Sequence, residues 1–164
     1  MKCIGILWNS MNEYRNEAIE DIKQYGTIEE MIPIDLGSNY KSFIKELYPF
    51  DGRHEGLDEY KASIMIDQYE SNEICILFLD IKDSEKIYIE RKRIYLYKNI
   101  EELKQMIRSK YKEKIDNYQF DNIYHMTDDE TEYLFTLKVL QKYLHELTIK
   151  NVKIKRLCDE GKMK

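Results

Sequence analysis

Cysteine is scarce and unpaired in this chain. Cys3, Cys75 and Cys158 are odd in number, far apart and make no C-x-x-C spacing, so neither a disulfide framework nor a zinc ribbon is expected. No signal-peptide pattern precedes them, and Cys3 and Cys75 fall inside apolar runs. That is the usual setting of buried, reduced thiols, and it reads as a cytoplasmic protein. The three histidines, His54, His125 and His145, show no metal-ligand spacing. No apolar run approaches the ~20 residues of a membrane span, so no membrane partner is expected. Internal repeats and low-complexity linkers are absent. The net charge of −5 lacks the basic excess of a duplex-DNA binder and argues against a nucleic-acid partner.

What is present is an apolar fraction of 43% with 14 tyrosines, which excludes a disordered chain. A length of 164 residues suggests one domain. At that size about 70% of the unfolded surface can be buried. We place the domain at residues 1–157 and a frayed basic tail at 158–164.

Hydrophobic periodicity gives the element order. Residues 2–8 form a nearly continuous apolar strand, expected to be central. Asn9 and Ser10 offer a cap, and residues 11–24 read as a helix with Tyr14, Ala18, Ile19 and Ile22 on one face. Gly26 is a helix stop. Residues 27–36 are a strand in which Pro33 favours an edge or a bulge. Residues 40–48 form a short helix ended by Pro49, 50–55 a loop, and 57–69 a further amphipathic helix. The run Ile74-Cys75-Ile76-Leu77-Phe78-Leu79 makes 73–81 the strongest strand. Residues 86–97 alternate and read as a strand in a hairpin with it. Asn99 caps a helix carrying Ile100, Leu103, Ile107 and Tyr111. Residues 120–125 are a short strand and 127–146 the longest helix, with 148–157 a last strand or arm. The expectation is an α/β (α+β) sandwich: a ferredoxin-like β-α-β-β-α-β plan with inserted helices and an extra hairpin.

Chemistry concentrates at residues 120–132. Thr127 and Glu130 make an S/T-x-x-E capping box, which puts His125 just before a helix start, where outward N–H groups favour an anion. A histidine nucleophile needs one ring nitrogen neutral, as an ordinary pKa of ~6.5 allows. It also needs a partner fixing its tautomer, with Glu130, Glu132 or a backbone carbonyl in reach. The plainer alternative is a partly buried, hydrogen-bonded histidine. Asp128, Asp129, Glu130 and Glu132 either serve the helix start or take Mg²⁺ with a nucleotide phosphate, Asp128 first. Arg108, Lys110, Lys112 and Lys114 supply phosphate-gripping cations or a solvated helix face. Arg91-Lys92-Arg93 with Tyr88, Tyr95 and Tyr97 mixes cations with aromatics as single-strand-binding surfaces do, although an exposed hairpin explains it as well. A phosphodiester enzyme pairing His125 with His54 is a third option.

The stretch Asn122-Ile123-Tyr124-His125-Met126-Thr127-Asp128 and the pair Ile107-Arg108 resemble nucleoside diphosphate kinases, where Asn-x-x-His ends a strand before Gly-Ser-Asp and a helix. The resemblance implies that His125 takes a phosphoryl group from one nucleoside triphosphate and passes it to a diphosphate. It further implies that Asn122, Arg108 and Thr127 bind the nucleotide, that Tyr48 lies near the histidine, and that Mg²⁺ accompanies a nucleoside di- or triphosphate in a homo-oligomer. The pattern departs at Trp8-Asn9-Ser10, where the family has Lys-Pro-Asp, at Met126 for a glycine, and at Thr136 for a glutamate that supports the histidine. The alternative from another class is a non-catalytic interaction or regulatory module that keeps the fold.

Overall fold

The computed structural model describes residues 1–48, 71–116, 118 and 122–146. The expectations for 50–55, 57–69, 148–157 and the basic tail, and those for His54 and Cys158, lie outside the described residues.

The architecture is mixed α+β. Strands β1 (Lys2–Leu7), β2 (Gly26–Asp35), β3 (Glu73–Ile81) and β6 (Tyr124–Met126) form one antiparallel sheet in the order β2-β3-β1-β6. Helix α1 (Arg15–Lys23) lies between β1 and β2 in sequence, α2 (Tyr40–Leu47) between β2 and β3, α3 (Lys98–Lys112) between β3 and β6, and α4 (Glu130–Glu146) follows β6. Two β-α-β crossings are therefore split, each spanning a strand that runs the other way. None of the described helices is long and apolar enough to cross a membrane.

The unbroken apolar run of β3 is explained by its position, with a strand on either side and a core on each face. Register sorts side chains by parity. Ile4 and Ile6 of β1 with Ile74, Ile76 and Phe78 of β3 meet α2 and α4 on one face. Cys3, Leu7, Cys75, Leu77 and Leu79 meet α1 and α3 on the other. Burial pushes the Cys3 thiol up to about 12 and the Cys75 thiol to about 11, leaving both as inert core groups. Trp8, which stands where the resemblance wants a lysine, is fully buried among Tyr40, Phe43 and Tyr48, with ring centroids 6.2–6.3 Å away. Pro33 sits on the edge strand β2, where no neighbour asks for its missing N–H.

Three local expectations are corrected. Residues 86–97 are not one strand paired with β3. They form their own two-stranded hairpin of β4 (Lys86–Ile89) and β5 (Ile94–Tyr97). Arg93 turns the chain in the left-handed region (φ 56°) with no glycine to announce it. Asn99 is not the N-cap of α3; Tyr97 is, and the Asn99 N–H donates to the Ser84 hydroxyl at 3.0 Å. Asn9 and Ser10 do not cap α1, whose N-cap is Tyr14. Asn9 instead accepts the Tyr40 hydroxyl at 2.9 Å, and Ser10 donates to the Asn122 carbonyl at 2.5 Å.

Two glycines separate steric from conformational cost. A Cβ at Gly26 would stand 2.2 Å from the Asp80 carbonyl oxygen, so backbone must move. One at Gly37 (φ +51°) meets nothing within 4 Å. Gly26→Ala should lose about 1–3 kcal/mol, as overpacking does. Gly37→Ala should lose about 1 kcal/mol, from backbone strain alone. Urea midpoints at constant m-value measure both.

Candidate functional site

Strand β6 is three residues long, and its alternation splits the site's neighbours between two layers. Tyr124 and Met126 enter the α1–α3 core, while His125, paired opposite Ile6, faces the α2–α4 layer. The imidazole is buried, 7% exposed, and stands edge-on to the Tyr48 ring at 5.0 Å. Its Nε2 lies 3.7 Å from Glu132 Oε1, within ion-pair range and longer than a hydrogen bond. Of the two carboxylates considered from sequence, Glu132 is brought to His125.

The helix start is not where the sequence suggested. Thr127 is not the N-cap, and Thr127–Glu130 is not the capping box. Thr127 continues the β pairing: its N–H donates to the Ile4 carbonyl and its hydroxyl accepts the Ile4 N–H, both at 3.0 Å. The cap forms two residues later as Asp-x-x-Glu. Asp129 Oδ1 accepts the Glu132 N–H at 2.8 Å, and Glu132 Oε2 reaches back to the Asp128 N–H at 3.1 Å. A second D/E-x-x-E match two positions on was the signal for it. This arrangement fixes Glu132 in place while its other oxygen faces His125.

Between strand and cap lies Asp128, 3% exposed. One oxygen takes the Lys104 ammonium from α3 and the other takes Lys92 from the turn of the β4–β5 hairpin. Burial alone would raise the Asp128 pKa, but Lys104 and Lys92 outweigh it and hold the carboxyl below the usual range. Burial, together with the charge of Lys92, pulls the Lys104 ammonium down. Burial alone would lower Lys92, but the charge and hydrogen bond of Asp128, with the Glu132 charge, together outweigh it and leave Lys92 raised. Glu132 is pushed up to about 7, first by burial and then by the Asp128 charge. Perturbed groups gathered around one histidine mark a candidate site. Sequence reasoning named neither Lys92 nor Lys104 as partners of Asp128. The signal was Lys104 itself, a lysine inside the buried stripe of Ile100, Leu103 and Ile107.

The remaining predicted residues lie around this cluster. Asn122 is buried beside Ser10. Arg108 donates from Nε and Nη2 to the Tyr124 carbonyl at 3.3 and 3.1 Å, satisfying the outer edge of β6. Lys110 and Lys114 turn away from the site to Asp21 and Glu17 of α1. Thr136, one turn beyond Glu132, keeps a buried hydroxyl with no hydrogen-bond partner among the described residues. Both Asp128 oxygens face ammonium groups, so this carboxylate does not fit a Mg²⁺ ion. Among the described residues, no three His, Cys, Asp or Glu side chains gather to hold a metal.

Two outcomes follow from this electrostatic arrangement. Asp128→Ala leaves two ammonium groups facing each other, one of them fully buried, and should cost about 3–5 kcal/mol in chemical denaturation. For Glu132 the folded pKa lies above the ordinary 4.5, so the native state binds the extra proton. Its contribution is therefore fully present at low pH and is lost as pH rises from about 4.5 through 7. Glu132→Gln should accordingly unfold at a higher temperature than the parent at pH 8 and lose that advantage near pH 5, as pH-resolved thermal melts would show.

No protein-family model matches this chain, and no curated protein sequence matches it.

Proposed function

We propose that this chain binds a nucleoside di- or triphosphate at the junction of β6 and α4 and that His125 accepts its terminal phosphoryl group. The observation that carries this reading is the charge balance beside His125. Lys92 and Lys104 set two ammonium groups against the single carboxylate of Asp128, and Glu132 titrates near neutrality. The acidic stretch after Thr127 thus carries a weaker negative field than its sequence suggests, and an anion can approach the helix start.

In this reading Glu132, 3.7 Å from Nε2, closes to steady the neutral imidazole when the nucleotide binds, and a ring nitrogen with its lone pair is the nucleophile. That nitrogen forms a bond to the terminal phosphorus, the bond from phosphorus to its bridging oxygen breaks, and the diphosphate leaves with that electron pair. Return of the phosphoryl group to an acceptor diphosphate restores the imidazole. Lys92, 30% exposed, is the ammonium placed to answer phosphate charge, since Lys104 is 2% exposed. Arg108 acts on the strand: by holding the Tyr124 carbonyl it positions the residue next to His125. Of the nucleotide-side residues that the resemblance implies, Asn122, Thr127 and Tyr48, Thr127 already spends its N–H and hydroxyl on Ile4.

The second reading, a non-catalytic module, is favoured by one observation: the cations that the first reading would enlist are already engaged, Lys92 and Lys104 by Asp128 and Arg108 by a backbone carbonyl.

Incubation with γ-labelled ATP separates the two. Phosphotransfer gives an acid-labile, base-stable label that His125→Ala abolishes and Glu132→Gln lowers at least tenfold. Binding at a hundredfold excess over Kd would also add about 2.7 kcal/mol of stability. An unlabelled protein whose melting temperature ignores every nucleotide tested belongs to the second reading.

A further inference from the structure

The β4–β5 hairpin takes no part in the chemistry above beyond lending Lys92. Its inner face is spent on the core: Leu96 is buried, and Ile87, Ile89 and Ile94 pack beside it. Its outer face is unusual. Tyr88 and Tyr95 are direct cross-strand partners, with ring centroids 5.0 Å apart, yet they are 50% and 66% exposed. A cross-strand aromatic pair stabilises a hairpin by only about 0.2–1 kcal/mol, and two large rings left in water work against solubility.

The charge around them is one-sided. Along the hairpin the cations are Lys86, Arg91, Lys92 and Arg93, against Glu90, with Lys92 held by Asp128, in a chain whose net charge is −5. Lys86 stands 5.6 Å over the Tyr97 ring, beside the tyrosine pair in register. The turn also carries strain. Arg93 holds φ 56°, a position where glycine costs nothing and arginine does not. Strained residues concentrate where structure is spent on function, and here the strained residue is an exposed cation.

We infer that the outer face of the β4–β5 hairpin binds single-stranded nucleic acid, with Tyr88 and Tyr95 stacking on bases and Lys86, Arg91 and Arg93 following the backbone phosphates. Exposed rings with interleaved cations suit unpaired bases, whose faces are open, and not a duplex, whose faces are stacked. An acidic peptide would meet the cations but leave the tyrosine faces unused. The acid excess elsewhere on the chain confines the contact to this strip, so the affinity is modest and falls with salt. The inference is independent of phosphotransfer at His125.

Fluorescence polarisation of the full chain with labelled oligo-dT tests it, with a duplex of equal length and polyglutamate as competitors. Single strands should bind with a Kd below about 100 µM at 0.1 M salt. Tyr88→Ala with Tyr95→Ala should weaken binding roughly fivefold or more for each lost stack. Arg93→Gly, which relieves the left-handed residue, should melt no lower than the parent and reduce the salt slope by about 0.7. It keeps the test decisive should the double variant misfold. The inference is overturned by absence of binding in that range, by equal competition from duplex or polyglutamate, or by Arg93→Gly binding with unchanged affinity and salt slope.

Discussion

Asp128 sits where three separate parts of the chain meet, and its pairing with Lys92 and Lys104 is the constraint on which the candidate site depends. Lys104 comes from α3, Lys92 from the hairpin turn, and Asp128 from the link between β6 and α4. A carboxylate 3% exposed and an ammonium 2% exposed cannot remain ionised unless each answers the other. The pair therefore acts more as an alignment device than as a source of net stability. It tells the hairpin where to lie on the core and fixes the link through which β6 passes into α4. The rest of the site follows from that fixed point: Asp128's own N–H holds Glu132, and Glu132 faces His125.

The same interaction reverses an electrostatic judgement. Read linearly, four acids within seven residues after His125 would repel a phosphate. Folded, one of them is outweighed by two lysines, and a second is raised to about 7 by burial and the Asp128 charge. Asp129 spends its charge on the helix start. Glu130 is exposed, so the negative field beside the histidine is weaker than the count of acids suggests, while Trp8 stands in aromatic packing where the resemblance wants a lysine.

The parts of the fold legible in the sequence were those set by one dominant local force. The apolar run at 74–79 could only be a strand covered on both faces, and β3 occupies 73–81 as expected. Helix α2 and the edge position of Pro33 were equally readable. The mixed α+β class followed from the element order. What failed did so where two readings compete at short range. Residues 86–97 alternate as one strand would, but the four-residue turn flips the parity, so Ile94 and Leu96 join Ile87 and Ile89 inside. Thr127 and Asp129 both look like N-caps; the unpaired N–H and carbonyl of Ile4 claimed Thr127. The position of His125 and its contact with Glu132 were within reach of sequence reasoning, and the resemblance put Tyr48 near it. Lys104 left a mark, as a lysine inside an apolar stripe, but its pairing with Asp128 and Lys92 did not, because each lies on a different element and no local spacing links 92, 104 and 128.

In the proposed function, His125, Glu132 and Lys92 together form an anion site for a nucleotide. An NMR titration of the whole protein with ADP, following the His125 ring and the Lys92 side-chain signals, tests it most directly. The account predicts a saturable shift of both with one common Kd, weakened when Glu132→Gln changes the histidine's partner. Stationary His125 and Lys92 signals at millimolar ADP would contradict it.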